Sequence, residues 1–227
     1  MSRWRLIAHR GASAEVTENT LAAFDLAARH GADAVECDVR LTRDGVPVVF
    51  HDADLVRLAG RPERVDSLTA AEVAAVRLEG GHRIPTLAET LVWSRTGLPL
   101  IIEVKSGADP VLMARQVAAV AAAVGGTVAA LSSFSPRLLE ALAASLPEVP
   151  RALVADLPAE DAAVQARAVG AAALHLAVRR WTGAPPFEPT FVWTVDDVSA
   201  AGRLLGEGAR GIFTNRPAAL AALRGSA

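Results

Sequence analysis

The sequence contains one cysteine, one lysine, two asparagines and no tyrosine among its 227 residues. The single thiol, that of Cys37, excludes an internal disulfide. No uninterrupted apolar run approaches the roughly 18 residues of a transmembrane helix. The start of the chain also lacks the long apolar segment of a cleaved signal peptide. We therefore expect no stable membrane insertion and a cytoplasmic location.

Positive charge is not in excess, because the formal net charge is −2 and the isoelectric point is near 6.2. This balance argues against a nucleic-acid partner, whose phosphate backbone requires a basic surface. All but one of the 23 basic residues are arginines, and the exception is Lys105. Because lysine and arginine differ where a compact point charge is needed, we expect Lys105 to meet a geometric requirement.

Short β-rich runs recur along the whole chain, and most are separated by segments of helical pattern. They are RLIAH (5–9), AVECDV (34–39), VPVVFH (46–51), LIIEVK (100–105), TVAALSSF (127–134), RALVA (151–155), AALHL (172–176), FVWTV (191–195) and RGIFT (210–214). Such alternation predicts a parallel sheet. Nine runs in 227 residues, the third too close to the second for a helix between them, favour a TIM (β/α)8 barrel with one irregular early unit.

Helix-capping signals mark several of the intervening segments. Thr86 and Glu89 fit a capping box, and Asp109 and Ser135 each precede a proline at a helix start. Asn19 is interpreted as the cap of the first helix.

Ionisable side chains end four of the β-rich runs. Because side chains alternate along a strand, Glu36 and Asp38 share one face, as do Glu103 and Lys105. His9 and His51 end two further runs. In a parallel barrel the carboxyl ends of the strands meet at the face that carries active sites, so these groups are expected to converge there.

The residue types indicate a chemistry for this face. Three carboxylates without sulfur ligands, Glu36, Asp38 and Glu103, suit a hard divalent cation, Mg²⁺ or Ca²⁺. A cation beside Lys105 and Arg10 makes a site for an anion such as phosphate. Two histidines that titrate near neutrality can act as acid and base. The combination favours cleavage of a phosphodiester.

The order of the motifs resembles the glycerophosphodiester phosphodiesterase family. The resemblance rests on HRGASAEVTENTLAAF, GADAVECDVRLTRDGVPVVFHD, IPTLAETL, IIEVK, LSSF, VWTVD and RGIFTNRP, which together span nearly the whole chain. It implies one TIM-barrel domain over residues 1–227, with a short insertion at about 53–83 after the second barrel strand. Members often have asparagine where Asp196 follows VWTV, and this departure touches none of the expected site residues.

The resemblance also implies residue roles and a reaction. Positions matching His9 and His51 perform acid–base chemistry, and positions matching Arg10 and Lys105 hold the phosphate. Positions matching Glu36, Asp38 and Glu103 bind the metal. The implied reaction is metal-dependent hydrolysis of a small glycerophosphodiester to glycerol 3-phosphate and an alcohol.

Four further residues are interpreted from their positions alone. Trp193 ends a late strand and fits equally an indole wall for the substrate and a core residue. His175 is interpreted as structural or at the substrate's edge, and Glu18 as a brace at the mouth without a metal role. Cys37 is expected to be a buried structural thiol.

Two other functions stay open at this level. A lysophospholipase-D-like enzyme acting on acylated diesters would need an apolar mouth, for which the candidates are Leu55, Leu58, Pro185, Pro186 and Phe187. A non-catalytic barrel that binds phosphate and metal is the other, because a fold does not determine a function. A homodimer through alanine-rich helices also stays open.

Overall fold

The computed structural model describes residues 4–224, and every predicted β-rich run forms a strand there. The strands are β1 (Arg5–His9), β2 (Ala34–Leu41), β3 (Pro47–Val49), β4 (Leu100–Val104), β5 (Val128–Ser133), β6 (Arg151–Ala155), β7 (Ala173–Ala177), β8 (Thr190–Trp193) and β9 (Gly211–Thr214). Eight of them are parallel, in the order β1-β9-β8-β7-β6-β5-β4-β2. Pairing of β1 with β2, with His9 opposite Glu36, closes the barrel. The TIM-barrel prediction is confirmed.

The helices follow most of the barrel strands. They are α1 (Leu21–Arg29), α2 (Val56–Ala59), α3 (Ala70–Ala75), α4 (Leu87–Ser94), α5 (Pro110–Val124), α6 (Pro136–Ser145), α7 (Ala159–Ala168), α8 (Val198–Gly206) and α9 (Pro217–Ala221). Within residues 4–224, none of the helices combines the length and the apolar character needed to cross a bilayer.

The predicted caps are confirmed at three helices. Thr86 and Glu89 form a reciprocal capping box at α4, and the side chains of Asp109 and Ser135 accept hydrogen bonds in the first turns of α5 and α6. The assignment of Asn19 as the cap of α1 is wrong. The cap is Thr20, whose side chain accepts from the Ala23 amide. Asn19 is turned into the barrel instead, with φ at 57°.

Strand β3 explains the irregular early unit. It is antiparallel to β2, with Val49 opposite Val39. The chain therefore reverses direction after β2 and runs back alongside that strand. The Phe50 amide then donates to the Asp38 carbonyl at 2.9 Å, which brings His51 to the level of the β2 carboxylates. His51 therefore reaches the site from the end of an antiparallel strand, not from a barrel strand as expected.

Residues 53–83 form an irregular segment between β3 and α4. It contains α2, α3 and two 3₁₀ turns around an apolar cluster that includes Phe50, Leu55 and Val73. Leu55 is fully buried in this cluster, so this candidate for an apolar mouth is excluded.

The outward faces of the strands pack against the helices and form the main core. Cys37 points away from Glu36 and Asp38 and is fully buried in this layer, among residues such as Phe24 and Leu87. Burial raises the pKa of its thiol well above the ordinary value. The interpretation of Cys37 as a buried structural thiol is confirmed.

Gly11 follows β1 at a point where no side chain fits. Its φ is +85°, and a Cβ atom would lie 2.7 Å from the backbone carbon of Ala23. We expect Gly11→Ala to lower the free energy of unfolding by about 3 kcal/mol, because strain and a backbone clash act together. Gly31→Ala is the matched control, since Gly31 has φ +76° and no atom within 4 Å of its Cβ position. Its expected cost is about 1 kcal/mol. Equal costs in urea unfolding would contradict the clash.

Candidate active site

The predicted site residues converge on the C-terminal face of the barrel, around a pocket of about 190 Å³. Of the residues predicted to catalyse, to bind phosphate or to bind metal, Asp38 does not line the pocket, and its side chain is fully buried. The lining residues are His9, Arg10, Glu36, His51, Glu103, Lys105, Ser132, Phe134, Val154, His175, Trp193 and Phe213.

Three carboxylates form the acidic part of the site. Glu36 and Asp38 alternate along β2, and Asp38 lies opposite Glu103 in the register with β4. One oxygen from each lies within 4.8 Å of the others, and all three side chains are buried. The register of two parallel strands thus produces the cluster predicted from the sequence.

The charges of this cluster are unevenly compensated. Burial, together with Asp38 and Glu103, raises the pKa of Glu36 well above its usual value. Burial and Asp38 likewise raise the pKa of Glu103. Although burial opposes it, Lys105 and Arg10 hold the pKa of Asp38 well below its usual value. Glu36 Oε1 is buried with no hydrogen-bond partner in the described part of the chain. A hard cation, which prefers carboxylate oxygens, fits this donor set.

Two cationic side chains border the carboxylates. Arg10 has φ at 57°, and its amide donates to Glu36 Oε2 at 3.0 Å. Its guanidinium Nε lies 3.1 Å from Asp38 Oδ2. Lys105 Nζ lies 2.7 Å from Asp38 Oδ1 and also contacts Glu103. Both cations line the pocket, where they face any anion that enters it.

Asn19 is a site residue that sequence reasoning missed. Its Nδ2 donates to Asp38 Oδ2 at 2.8 Å, and its Oδ1 accepts from the Asp38 amide at 3.1 Å. The two bonds fix the orientation of the Asp38 carboxylate. Its rarity was the available signal, because the chain has only two asparagines and both lie in this site.

His9 is held by the second asparagine. Its Nδ1 lies 2.8 Å from Asn215 Oδ1. The Asn215 amide nitrogen donates to Asp196 Oδ2 at 2.8 Å, which leaves Oδ1 as the acceptor for His9. His9 therefore carries its proton on Nδ1 and keeps a lone pair on Nε2. Burial, with help from Arg10, lowers the pKa of His9 to about 4.

His51 has a charged partner instead. Its Nδ1 lies 2.6 Å from Asp52 Oδ1, and Arg57 donates to Asp52 Oδ2 at 2.7 Å. Arg57 also donates to both carboxylate oxygens of Glu18. Through Arg57 the 53–83 segment is therefore bonded to Glu18 and Asp52 beside the pocket. Burial lowers the pKa of His51, and the Asp38 carboxylate opposes that shift.

Glu18 contacts the cations and stays outside the carboxylate cluster. It accepts from Arg10 at 3.0 Å as well as from Arg57, and these cations outweigh burial to lower its pKa. This geometry agrees with its interpretation as a brace.

Aromatic side chains form the wall opposite the charged groups. The rings of Trp193 and Phe134 meet edge to face, with centroids 5.7 Å apart. Trp193 Nε1 donates to the His175 carbonyl at 2.9 Å. Trp193 thus lines the pocket, while Pro185 lies beside Gly208 and Phe187 stacks under Arg167, outside the pocket lining.

His175 lies at the floor of the pocket, and burial lowers its pKa from 6.5 to about 3. Between about pH 3 and pH 6.5, His175 is protonated in the unfolded chain and neutral in the folded chain. Its contribution to the free energy of unfolding therefore falls as the pH drops below 6.5. We expect His175→Phe to remove this contribution. The free energy of unfolding of the variant, minus that of wild type, should rise by about 1.4 kcal/mol when the pH is lowered from 7.5 to 5.5. Urea unfolding at both values tests this, and a constant difference would contradict the burial argument.

The barrel and its carboxylate cluster together define a class: TIM-barrel proteins able to hold a divalent cation beside an anion. Within that class, the chain belongs to the glycerophosphoryl diester phosphodiesterase family, whose model matches residues 9–219.

Individual relatives agree with this membership. The chain is 42% identical over 111 residues to glycerophosphodiester phosphodiesterase of Caldanaerobacter subterraneus, which is 45% of each chain. It is 40% identical over 113 residues to mouse glycerophosphodiester phosphodiesterase 1, which is 45% of this chain and 34% of the mouse protein. The matches therefore span less than half of these relatives.

Solved structures match over a much larger share. A phosphodiesterase of Oleispira antarctica, in complex with the product sn-glycerol-3-phosphate, superposes with a TM-score of 0.90 at 26% identity, covering 98% of this chain and 97% of that one. Glycerophosphodiester phosphodiesterase of Thermotoga maritima gives 0.79 at 26% identity, covering 99% and 100%.

Proposed function

We propose that the protein hydrolyses small glycerophosphodiesters to glycerol 3-phosphate and an alcohol, with a divalent cation on Glu36, Asp38 and Glu103. The observation that carries this proposal is the unpartnered Glu36 Oε1 within a buried carboxylate cluster, beside Arg10 and Lys105 in the same pocket. Such a donor set suits Mg²⁺ or Ca²⁺. When bound, the cation would act as a Lewis acid toward the phosphate oxygens.

In this proposal Arg10 and Lys105 bind the phosphate. Both already neutralise Asp38 and face the pocket. Their charges would offset the negative charge that grows on the phosphoryl oxygens in the transition state. Asn19 and Glu18 position this pair indirectly, by holding Asp38 and Arg10.

The hydrogen-bond partners of the two histidines support different roles. His9 donates from Nδ1 to a neutral amide, so a lone pair on Nε2 is available to accept a proton from the attacking hydroxyl. His51 pairs with the Asp52 carboxylate, which stabilises an imidazolium able to protonate the leaving alkoxide. We therefore propose His9 as the base and His51 as the acid. The attacking hydroxyl can belong to water or to the substrate's own glycerol.

Acylated diesters are the second candidate substrates, and one observation favours them: Phe134 lines the pocket and is 46% exposed. The volume of about 190 Å³ is below the roughly 300 Å³ at which pockets for larger ligands begin. We therefore rank small soluble diesters first.

The decisive experiment removes metal with a chelator and restores Mg²⁺ or Ca²⁺ separately. Release of glycerol 3-phosphate from glycerophosphocholine is then measured beside lysophosphatidylcholine hydrolysis. Metal-dependent release from glycerophosphocholine supports the proposal. Turnover of the acylated substrate alone supports the second candidate, and metal and phosphate binding without turnover supports a non-catalytic barrel.

A further inference from the structure

The pocket has two chemically different halves. The half formed by β1, β2 and β4, together with His51, carries the charges, as described above. The other half, from β5 to β9, has no charged carboxylate or ammonium group among its lining residues. It consists of Ser132, Phe134, Val154, His175, Trp193 and Phe213. The phosphate proposal uses only the charged half, so the neutral half needs a separate explanation.

Two polar side chains in the neutral half lack hydrogen-bond partners. His175 is 4% exposed; its ring packs edge to face on Phe213 and Phe191 and makes no hydrogen bond to another residue within 4–224. Ser132 is 1% exposed, and its Oγ has no partner within residues 4–224. The adjacent Ser133, by contrast, has a hydrogen-bond partner, because its hydroxyl donates to the Val104 carbonyl at 2.8 Å.

Unpartnered buried polar groups are uncommon because each has lost its hydrogen bonds to water without gaining others, which costs free energy. The neutral imidazole of His175 offers one donor and one acceptor, and the Ser132 hydroxyl offers both. A ligand with two or more hydroxyls satisfies such a pair, whereas an acyl chain leaves both groups unpaired. The aromatic walls of Trp193 and Phe134 suit the carbon skeleton of such a ligand.

We infer that His175 and Ser132 form a polyol subsite that recognises the glycerol hydroxyls of the substrate. The inference rests on the proposed function, since the charged half must hold the attached phosphate. It assigns specificity to the neutral half: the enzyme selects a hydroxylated phosphate ester over an alkyl ester of the same length.

The test compares two ligands of equal length by titration calorimetry in Mg²⁺. These are sn-glycerol 3-phosphate and n-propyl phosphate, which lacks both hydroxyls. Wild type is expected to bind the glycerol ester at least about 10-fold more tightly. His175→Phe and Ser132→Ala should each reduce this preference by about 5- to 30-fold. Phenylalanine suits the aromatic surroundings of His175, and circular dichroism checks that each variant is folded.

Ser133→Ala is the matched control, because it removes a neighbouring hydroxyl that does not line the pocket, and it should keep the wild-type preference. Retained preference in both His175→Phe and Ser132→Ala, or equal binding of the two esters by wild type, would overturn the polyol subsite and leave the proposed function intact. Failure of wild type to bind either ester or inorganic phosphate would overturn the proposed function and the subsite with it.

Discussion

His51→Ala is expected to lower kcat/KM for glycerophosphocholine by about 10²- to 10⁴-fold. The alcohol released from this substrate leaves as a strongly basic alkoxide and needs a proton. His51, paired with Asp52 at 2.6 Å, is the group that we propose to supply it. A p-nitrophenyl phosphodiester releases p-nitrophenolate, a weakly basic anion that needs no proton in order to leave, so the same variant should lose less than about 10-fold on this substrate. Steady-state kinetics on both substrates measure the difference.

His9→Ala separates the two histidine roles. A base that activates the nucleophile is needed whatever group leaves, so this variant should lose about 10²- to 10⁴-fold on both substrates. If His9→Ala spared the p-nitrophenyl substrate and His51→Ala did not, the roles would be reversed. Equal losses in both variants on both substrates would refute the division into acid and base.

Glu36→Gln is expected to reduce turnover by about 10²- to 10³-fold at a Mg²⁺ concentration that saturates wild type. Glutamine preserves the shape of the side chain and the acceptor for the Arg10 amide, but it removes the negative charge of the orphaned oxygen. The apparent Mg²⁺ affinity should fall as well, because the cluster loses one of three carboxylates. Activity measured against Mg²⁺ concentration gives both quantities.

Thermal melting adds a readout that is independent of turnover. Wild type should gain stability when Mg²⁺ is added, since a ligand of the folded state stabilises it. Glu36→Gln should lose most of that gain and should melt no lower than wild type in chelator, because it removes a buried carboxyl group whose charge is disfavoured by burial and by Asp38 and Glu103. Glu140→Gln, on the exposed face of α6, is the matched control. A wild-type response in Glu36→Gln would exclude Glu36 as a ligand.

Local patterns account for most of the fold. The nine β-rich runs and the proline-led helices at Pro110 and Pro136 are set by residues next to one another, so a sequence displays them directly. Asn19 shows where this logic stops. An asparagine before a helix can cap that helix or can bond a distant buried side chain, and the sequence looks the same in both cases. Asn19 bonds Asp38, and this contact depends on the closed barrel.

The site was predictable where strand alternation controls it and not where distant segments meet. Alternation along β2 placed Glu36 and Asp38 together. The contacts that hold the histidines come from elsewhere: Asn215 lies 206 residues from His9 in the chain, and Arg57 comes from the irregular segment. Asp196, noted as a departure from the family, positions Asn215. No periodic pattern encodes such pairs.

Strand β1 lies between the second and the last strands of the barrel, pairing with both β2 and β9. During synthesis on the ribosome β1 emerges first, but its neighbour β9 and the anchor Asn215 emerge about two hundred residues later. A nascent chain that stops before Gly211 has the carboxylates of β2 and β4 but an unanchored His9. The proposed site is therefore complete only once the last barrel strand has paired with β1 and Asn215 has reached His9.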